Sequence, residues 1–491
     1  GGNLRRRHGW NVNRARNNCC PTFGHECLGA IACHQPCVWA EWKQAVRRRS
    51  HSSWQRFIQK SRRPIKPNFD CIRPAKGRNS FMSNDMLAII NARIVTVDEQ
   101  GTIINSGTIV VDENGLISQI AAGSIGHTSE TVIDARGAIV MPGLVNAHAH
   151  LGMTLFRGLG DDMNLEDFLS RLMPAEIRML DHEAVVAGTE LGALESLLGG
   201  ITTTLDMYYL PDAAQEVAQR SGMRIFSAPN LLEGDGPEPL PFDARMGMGR
   251  AVADSSQCNW KRFAELVGPT QHVPAWGRTP TFALPPWPKN TTPTSMFTRR
   301  ESFGEMQLVS NRHNGRTPIQ VLADTDLLTD AVLAHGVHLT DEDIELIAEH
   351  GASVTHCPAS NQKLASGTAR VIDLHAAGVN VALGTDGPAS GNDLDLWLAM
   401  RLAGYAQKNT AKDPTVMPAL DILRMATING ARALHADHLI GSLEVGKAAD
   451  IIVLDADSPS LTPIFDPHVA IVAAAGRGDV MSVIVNGQVV V

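Results

Sequence analysis

The chain has 491 residues, 44% hydrophobic and 19% charged, with a formal net charge of -8. That length gives ample material for a large core and favours more than one domain. No apolar run reaches the ~18 residues that would suggest a membrane-spanning helix.

Charge and cysteine are unevenly spread. Residues 1–81 carry 17 Lys+Arg against 3 Asp+Glu, whereas the remaining 410 carry 26 against 48. Six of the eight cysteines (Cys19, Cys20, Cys27, Cys33, Cys37, Cys71) also fall in that first segment. The body keeps Cys258 and Cys357, which argues against a disulfide framework and for a reducing, cytoplasmic setting. Residues 1–81 show neither helical nor strand periodicity. Clustered arginines such as Arg47-Arg48-Arg49 suit a nucleic-acid arm, and Cys33-His34 with Cys37 suits a zinc module, but the remaining spacing supports neither. The expectation is a non-native or disordered extension, a folded chain beginning at Met82 or Met86, and no nucleic-acid or membrane partner.

From Leu87 the text turns β-rich. Ile89–Val97, Gly107–Val111, Leu116–Ile120 and Thr131–Asp134 are β-branched runs separated by turn residues. Asp450–Asp455, Val469–Val472 and Val480–Val485 match them at the other end, with an Asn486-Gly487 turn before Val489. Residues 86–140 and 436–491 therefore read as two parts of one β-sandwich, assembled from both ends of the chain.

Between them, in residues 141–435, strands and helices alternate. Ile201–Asp206, Arg224–Ala228, Ala331–His335, Ala352–His356 and Val379–Asp386 read as short buried strands. Asp181–Leu198, Ala213–Ser221, Asp341–His350 and Asp393–Tyr405 show apolar residues at helical spacing, and Thr340-Asp-Glu-Asp343 supplies an N-terminal cap pattern. Alternation of this kind predicts a parallel sheet. Polar residues recur at the C-terminal ends of the strands, where a (β/α)8 TIM-like barrel carries its chemistry. A doubly wound sheet is the alternative, but the glycine loop that normally follows its first strand is missing.

The candidate site starts at Met141-Pro-Gly-Leu-Val-Asn-Ala-His148-Ala-His150. Residues i and i+2 of a strand share a face, so His148 and His150 point together, and paired imidazoles suit zinc or iron. His335 ends a middle strand, and Asp386 ends the last one in Leu383-Gly-Thr-Asp-Gly387. A carboxylate with imidazoles suits one catalytic divalent ion with an open water position, which lowers the pKa of its water to roughly 7. On this reading Asp386 ligates the metal and accepts the water's proton, and His335 polarises or protonates the group under attack. His338 reads as a surface residue beyond the strand end, and His356 as a weaker pocket candidate.

These residues resemble the amidohydrolase superfamily. The resemblance rests on Pro142–His150, Gly200-Ile-Thr-Thr-Thr204, Ala334-His-Gly-Val-His-Leu339, His356-Cys-Pro-Ala-Ser-Asn361, Gly384-Thr-Asp-Gly387, Ala426–Ala431 and Gly441–Lys447. It covers about residues 86–245 and 301–491, and is strongest to the chlorohydrolase/aminohydrolase branch that includes methylthioadenosine/S-adenosylhomocysteine deaminases. It implies a zinc or iron barrel with a composite β-sandwich, with His148, His150 and Asp386 as metal ligands and His335 acting on the substrate. Leu172-Met-Pro-Ala-Glu176 is similar to the segment whose glutamate contacts ribose in nucleoside deaminases; without the resemblance, Glu176 reads as an exposed carboxylate at a helix start. The implied activity is hydrolytic deamination of a small molecule, an adenosine-type nucleoside first. Chlorohydrolysis, guanine- or cytosine-type deamination and a catalytically dead binding homologue are alternatives, and a homo-oligomer is a family expectation.

One stretch departs from the family pattern. A third histidine ligand and a glutamate, expected on strand five between Arg250 and His335, are absent, and residues 250–300 are proline-rich and aperiodic. His272 and His313 stand in that interval without suitable neighbours. Reading the codons of Ser295-Met-Phe-Thr-Arg-Arg300 two bases further on permits His-Val-His-Ala immediately before Glu301-Ser302. The expectation is a frame-shifted stretch, and a chain as written that binds metal poorly and has little activity.

Overall fold

The computed structural model describes residues 85–129, 131–229, 270–272, 294–299, 309–311, 313–325 and 327–491. Residues 1–81 and most of 250–300 lie outside them. Sixteen strands are described. Those of the two chain ends are β1 (Leu87–Val95), β2 (Ile103–Val111), β3 (Ile117–Ala122), β4 (Thr131–Asp134), β5 (Ile139–Pro142), β14 (Ile451–Leu454), β15 (Val480–Val485) and β16 (Gln488–Val489). They form one sheet in the order β16-β15-β14-β5-β1-β2-β3, with β4 paired to β1. The antiparallel ladder of Ile451 to Pro142 through Leu454 to Ile139 joins the two ends of the chain. Asn486 and Gly487 both have positive φ, as a tight turn between β15 and β16 requires.

Val469–Val472 is not a strand. Pro467–Val469 is a helical turn that continues as a π-helical stretch over Ala470–Ala474. Asp466 caps it, its carboxylate accepting from the backbone N–H groups of His468 and Val469, and Pro467 sits at the first helical position. Capping and the proline's fixed φ override the strand preference of one Ile-Val pair.

The middle of the chain supplies parallel strands: β6 (Leu144–Ala149), β7 (Ile201–Tyr208), β8 (Arg224–Pro229), β9 (Thr270–His272), β10 (Thr294–Arg299), β11 (Val332–His335), β12 (Ser353–His356) and β13 (Asn380–Leu383). They pair as β6-β7-β8 and β13-β12-β11-β10-β9. A parallel bridge between Ala149 and Asp386 brings the ends of β6 and β13 together. β6, β7, β11 and β12 are buried along their whole length, as expected of parallel strands covered on both faces.

Ten helices cover or connect them: α1 (Leu165–Met179), α2 (His182–Leu198), α3 (Pro211–Ser221), α4 (Pro318–Asp324), α5 (Asp341–Glu349), α6 (Pro358–Lys363), α7 (Val371–Ala376), α8 (Leu396–Ala411), α9 (Ala419–Met425) and α10 (Ile428–Ala433). The Thr340–Asp343 pattern forms a reciprocal capping box at the start of α5. α8 begins three residues later than the apolar spacing suggests, because Asp395 caps it by accepting from Trp397 and Leu398 N–H. Trp397, fully buried, donates its indole N–H to the Gly199 carbonyl at 2.9 Å and so ties α8 to the end of α2. No described helix is long and apolar enough to cross a membrane.

Candidate active site

His148, His150, His335 and Asp386 come from three distant stretches and meet at the C-terminal ends of β6, β11 and β13. Asp386 Oδ1 lies 3.1 Å from His150 Nε2 and 3.6 Å from His148 Nε2, and Oδ2 lies 4.0 Å from His335 Nε2. The rings of His148 and His150 stand edge to face with centroids 4.7 Å apart, and those of His148 and His335 are 5.5 Å apart. All four side chains are buried.

The surrounding hydrogen bonds explain why the ends of these strands coincide. The Asp386 backbone N–H donates to the His148 carbonyl at 3.0 Å. Asn146 accepts from the Thr385 N–H at 3.1 Å and donates its Nδ2 to Thr385 Oγ1 at 2.7 Å. The asparagine within the His-x-His segment thus clamps the segment carrying Asp386. β7 orients the second imidazole: His150 Nδ1 donates to the Met207 carbonyl, and Asp206 accepts from the Leu151 N–H at 2.6 Å. A histidine tied through one ring nitrogen presents the other in a fixed direction.

Protonation follows from burial and proximity. Burial lowers His148 to about 3, which keeps its imidazole neutral. Burial opposes the charged form of His150, but the Asp386 carboxylate raises its pKa. Burial also opposes ionisation of Asp386, yet His148 and His150, followed by His335, hold it well below the usual carboxylate range. Asp206 is pushed up by burial to about 6.

A divalent ion fits these residues. One donor atom each from His148, His150 and Asp386 lies within 4.8 Å of the other two. Among the described residues neither ring nitrogen of the fully buried His148 has a hydrogen-bond partner, since Asp386 Oδ1, 3.6 Å from Nε2, lies beyond hydrogen-bond distance. An orphaned, neutral imidazole in the interior is costly unless something takes its lone pair, and metal binding does so. Among the described residues a second group, His148 with His335 and Cys357, falls within the same limit and shares His148.

Glu176 is not an exposed residue at a helix start. It lies in the interior of α1, 3% exposed, with Tyr208 O–H donating to Oε1 at 2.7 Å and Tyr209 O–H to Oε2 at 3.4 Å. Burial pushes its pKa up to about 7 despite those donors. His338 is half-buried rather than superficial. His356 is buried and, among the described residues, has no hydrogen-bond partner on either ring nitrogen, and burial lowers its pKa to about 3. His313 is half-buried, and its backbone N–H bonds to the Val309 carbonyl.

Reasoning from the sequence missed Asp206, Ser360 and Asn361 as members of the site. Ser360 Oγ donates to Asp386 Oδ2 at 2.6 Å, and Asn361 Oδ1 is 2.8 Å from His335 Nδ1. The signals were present: Asp206 follows Thr202-Thr203-Thr204 near a strand's C-terminal end, and Ser360-Asn361 closes the motif that starts at His356. On β10, Arg299 pairs in parallel register with His335. That strand reads Thr-Ser-Met-Phe-Thr-Arg and offers no histidine or carboxylate.

Buried imidazoles and a carboxylate gathered at the C-terminal ends of parallel strands are the donor set of a metal-dependent hydrolase. The chain belongs to the amidohydrolase family: that family's model, described as "Amidohydrolase family", matches residues 139–288 and 302–490. It is 38% identical over 373 residues to a 5-methylthioadenosine/S-adenosylhomocysteine deaminase of Moorella thermoacetica, covering 74% of this chain and 84% of the relative. It is also 38% identical over 365 residues to a 5'-deoxyadenosine deaminase of Methanosarcina mazei, covering 74% of this chain and 83% of the relative. Among solved structures, an adenosine deaminase from Xanthomonas campestris with bound zinc superposes with a TM-score of 0.74 at 29% identity, over 82% of this chain and 92% of that one.

Proposed function

We propose that this chain is a metal-dependent aminohydrolase that deaminates an adenosine-type nucleoside, with a methylthioadenosine- or S-adenosylhomocysteine-like thioether as leading substrate. The observation that carries the reading is the convergence of His148, His150 and Asp386 in one buried space, with neither ring nitrogen of His148 hydrogen-bonded among the described residues. The names of the relatives supply the substrate class. In this reading the parallel strands β6–β13 form a (β/α)8 barrel spanning residues 141–435, and residues 86–140 and 436–491 form the β-sandwich. One divalent ion, zinc before iron, is held by His148, His150 and Asp386. A cytoplasmic setting and self-association belong to the same proposal, the first from the cysteine distribution and the second from the family resemblance.

When bound, the ion lowers the pKa of its water toward neutrality. The protein's own groups divide the remaining work. Asp386 takes a proton from the attacking water, and His335 faces it across 4.0 Å to take and return a proton at Nε2. Glu176, held by two tyrosine hydroxyls, binds the ribose diol. Water adds to the ring carbon that carries the exocyclic amine, the C–N bond breaks, and ammonia leaves with the proton it gains.

The test is ammonia release by the zinc-supplemented, frame-corrected protein on a panel of adenosine thioethers, adenosine, guanine, cytosine and triazines. Release from the thioethers above the other substrates is expected. A chain that binds zinc and releases ammonia from none of them is a binding homologue, and the proposal fails.

A further inference from the structure

We propose that α6 is a positioning element whose adjacent residues Ser360 and Asn361 set, respectively, the metal-facing orientation of Asp386 and the ring tautomer of His335. The inference rests on the metal-site reading above and adds two residues to it.

Consecutive helical residues diverge by about 100°. Ser360 and Asn361 therefore reach different neighbours, and each meets the chemistry its target requires. A carboxylate only accepts, and Ser360 offers a hydroxyl donor at 2.6 Å from Asp386 Oδ2. The other oxygen, Oδ1, accepts from the Gly387 N–H at 2.7 Å. With one donor on each oxygen, rotation of the carboxylate breaks at least one bond, and Oδ1 stays directed at His148 and His150. Asn361 presents Oδ1, an acceptor, at 2.8 Å from His335 Nδ1. This places the ring proton on Nδ1 and leaves a lone pair on Nε2, the nitrogen that faces Asp386. His335 in this tautomer must receive a proton at Nε2 before it can give one.

The helix itself is held from both ends. Pro358 occupies its first turn, and the Asn361 N–H donates to the Cys357 carbonyl at 3.0 Å. At the far end Lys363 Nζ donates to the Ala389 carbonyl at 2.8 Å and pairs with Asp161 at 2.8 Å. Ala389 lies three residues beyond Asp386, so the loop bearing the carboxylate and the helix that orients it are tied together through both Ser360 and Lys363. Ser360 and Asn361 are both 1% exposed, which leaves little water to replace either hydrogen bond.

Two measurements on the full chain test this, and neither needs turnover. Nitrogen-15 NMR of histidine-labelled protein, with His335 identified by its loss in His335→Gln, reads the tautomer directly. Protonation at Nδ1 is expected in the unaltered chain, with Asn361→Asp retaining it and Asn361→Ala losing it. Protonation at Nε2, which the opposite amide orientation of Asn361 would produce, overturns the assignment, as does a tautomer unchanged in Asn361→Ala. For Ser360, zinc affinity measured against a chromophoric chelator should weaken about 10–100-fold in Ser360→Ala. Ser360→Thr, which keeps the hydroxyl, should restore it. Equal affinity in Ser360→Ala and the unaltered chain overturns the role of Ser360. A wild-type chain without zinc affinity instead defeats the metal reading, and the tautomer measurement still decides the role of Asn361.

Discussion

His335 and Asp386 face one another across 4.0 Å, and both hold left-handed backbone, with φ of 74° and 60°. Non-glycine residues in that region cost of order 1–3 kcal/mol each and persist where surrounding structure fixes them. Here the fixing bonds are backbone ones: Asp386 N–H to the His148 carbonyl and Gly384 N–H to the His356 carbonyl, each at 3.0 Å. Asparagine tolerates left-handed backbone better than most residues and matches aspartate in shape. Asp386→Asn should therefore fold with a chelator-treated melting temperature near that of the wild type. Zinc at a hundredfold excess over Kd should stabilise the wild type by about 2.7 kcal/mol. Thermal denaturation with and without zinc should show that increment lost in Asp386→Asn.

Glu176 predicts a pH dependence of stability. Its folded pKa is raised from 4.5 to about 7 by burial. A raised folded pKa contributes stability that is fully present below the unfolded value, and it is lost as pH rises through the folded one. The window is therefore pH 4.5 to 7. Glu176→Gln keeps an acceptor for Tyr208 and carries no charge, so it should be more stable than the wild type at pH 8, by on the order of 3 kcal/mol. The advantage should vanish below pH 4.5. Urea denaturation across pH 4–8 measures it, and a constant difference between the two proteins would remove the buried-carboxylate explanation.

Arg224 on β8 reaches the other sheet. Its guanidinium pairs with Asp450 beside β14, with Nη2 at 3.2 Å from Oδ1, and donates from Nη1 to Thr203 Oγ1 at 3.0 Å. Asp450 also accepts from the Asn486 N–H at 2.8 Å, which locks the β15–β16 turn to the same carboxylate. Both side chains are buried. Asp450→Ala removes the carboxylate that pairs with a buried guanidinium and should cost about 3–5 kcal/mol. The double variant Arg224→Met with Asp450→Leu removes both charges and should recover much of that loss in chemical denaturation.

Most strands, and the four residues that converge in the candidate site, were legible because their signals are local. Buried parallel strands leave apolar runs, and His-x-His with Gly-Thr-Asp-Gly marks two strand ends. Val469–Val472 misled because the deciding residues, Asp466 and Pro467, lie before the apolar stretch and act on its backbone. Glu176 could not be placed from α1 alone, since the groups that bury it, Tyr208 and Tyr209, follow 32 and 33 residues later. Ser360 and Asn361 stood in a recognised motif, yet only the fold shows which partner each one meets.

Strand β10 carries the last prediction. Its final residue, Arg299, pairs with His335, so the strand runs beside that histidine, and its own sequence holds no histidine or carboxylate. The proposed set of His148, His150 and Asp386 gives three protein donors, the family resemblance implies a further histidine on strand five, and loss of outer-shell support alone costs 10–100-fold in affinity. The chain as written should therefore bind zinc at least that much more weakly than a chain carrying His-Val-His-Ala ahead of Glu301. Resequencing the gene across residues 250–300 is the first check, and a shifted reading frame there is the expected result. Zinc titration and ammonia release on the frame-corrected protein form the second, with both expected to rise together. An unambiguous reading of the present frame, with full zinc affinity, would mean that a donor from outside strand five completes the site.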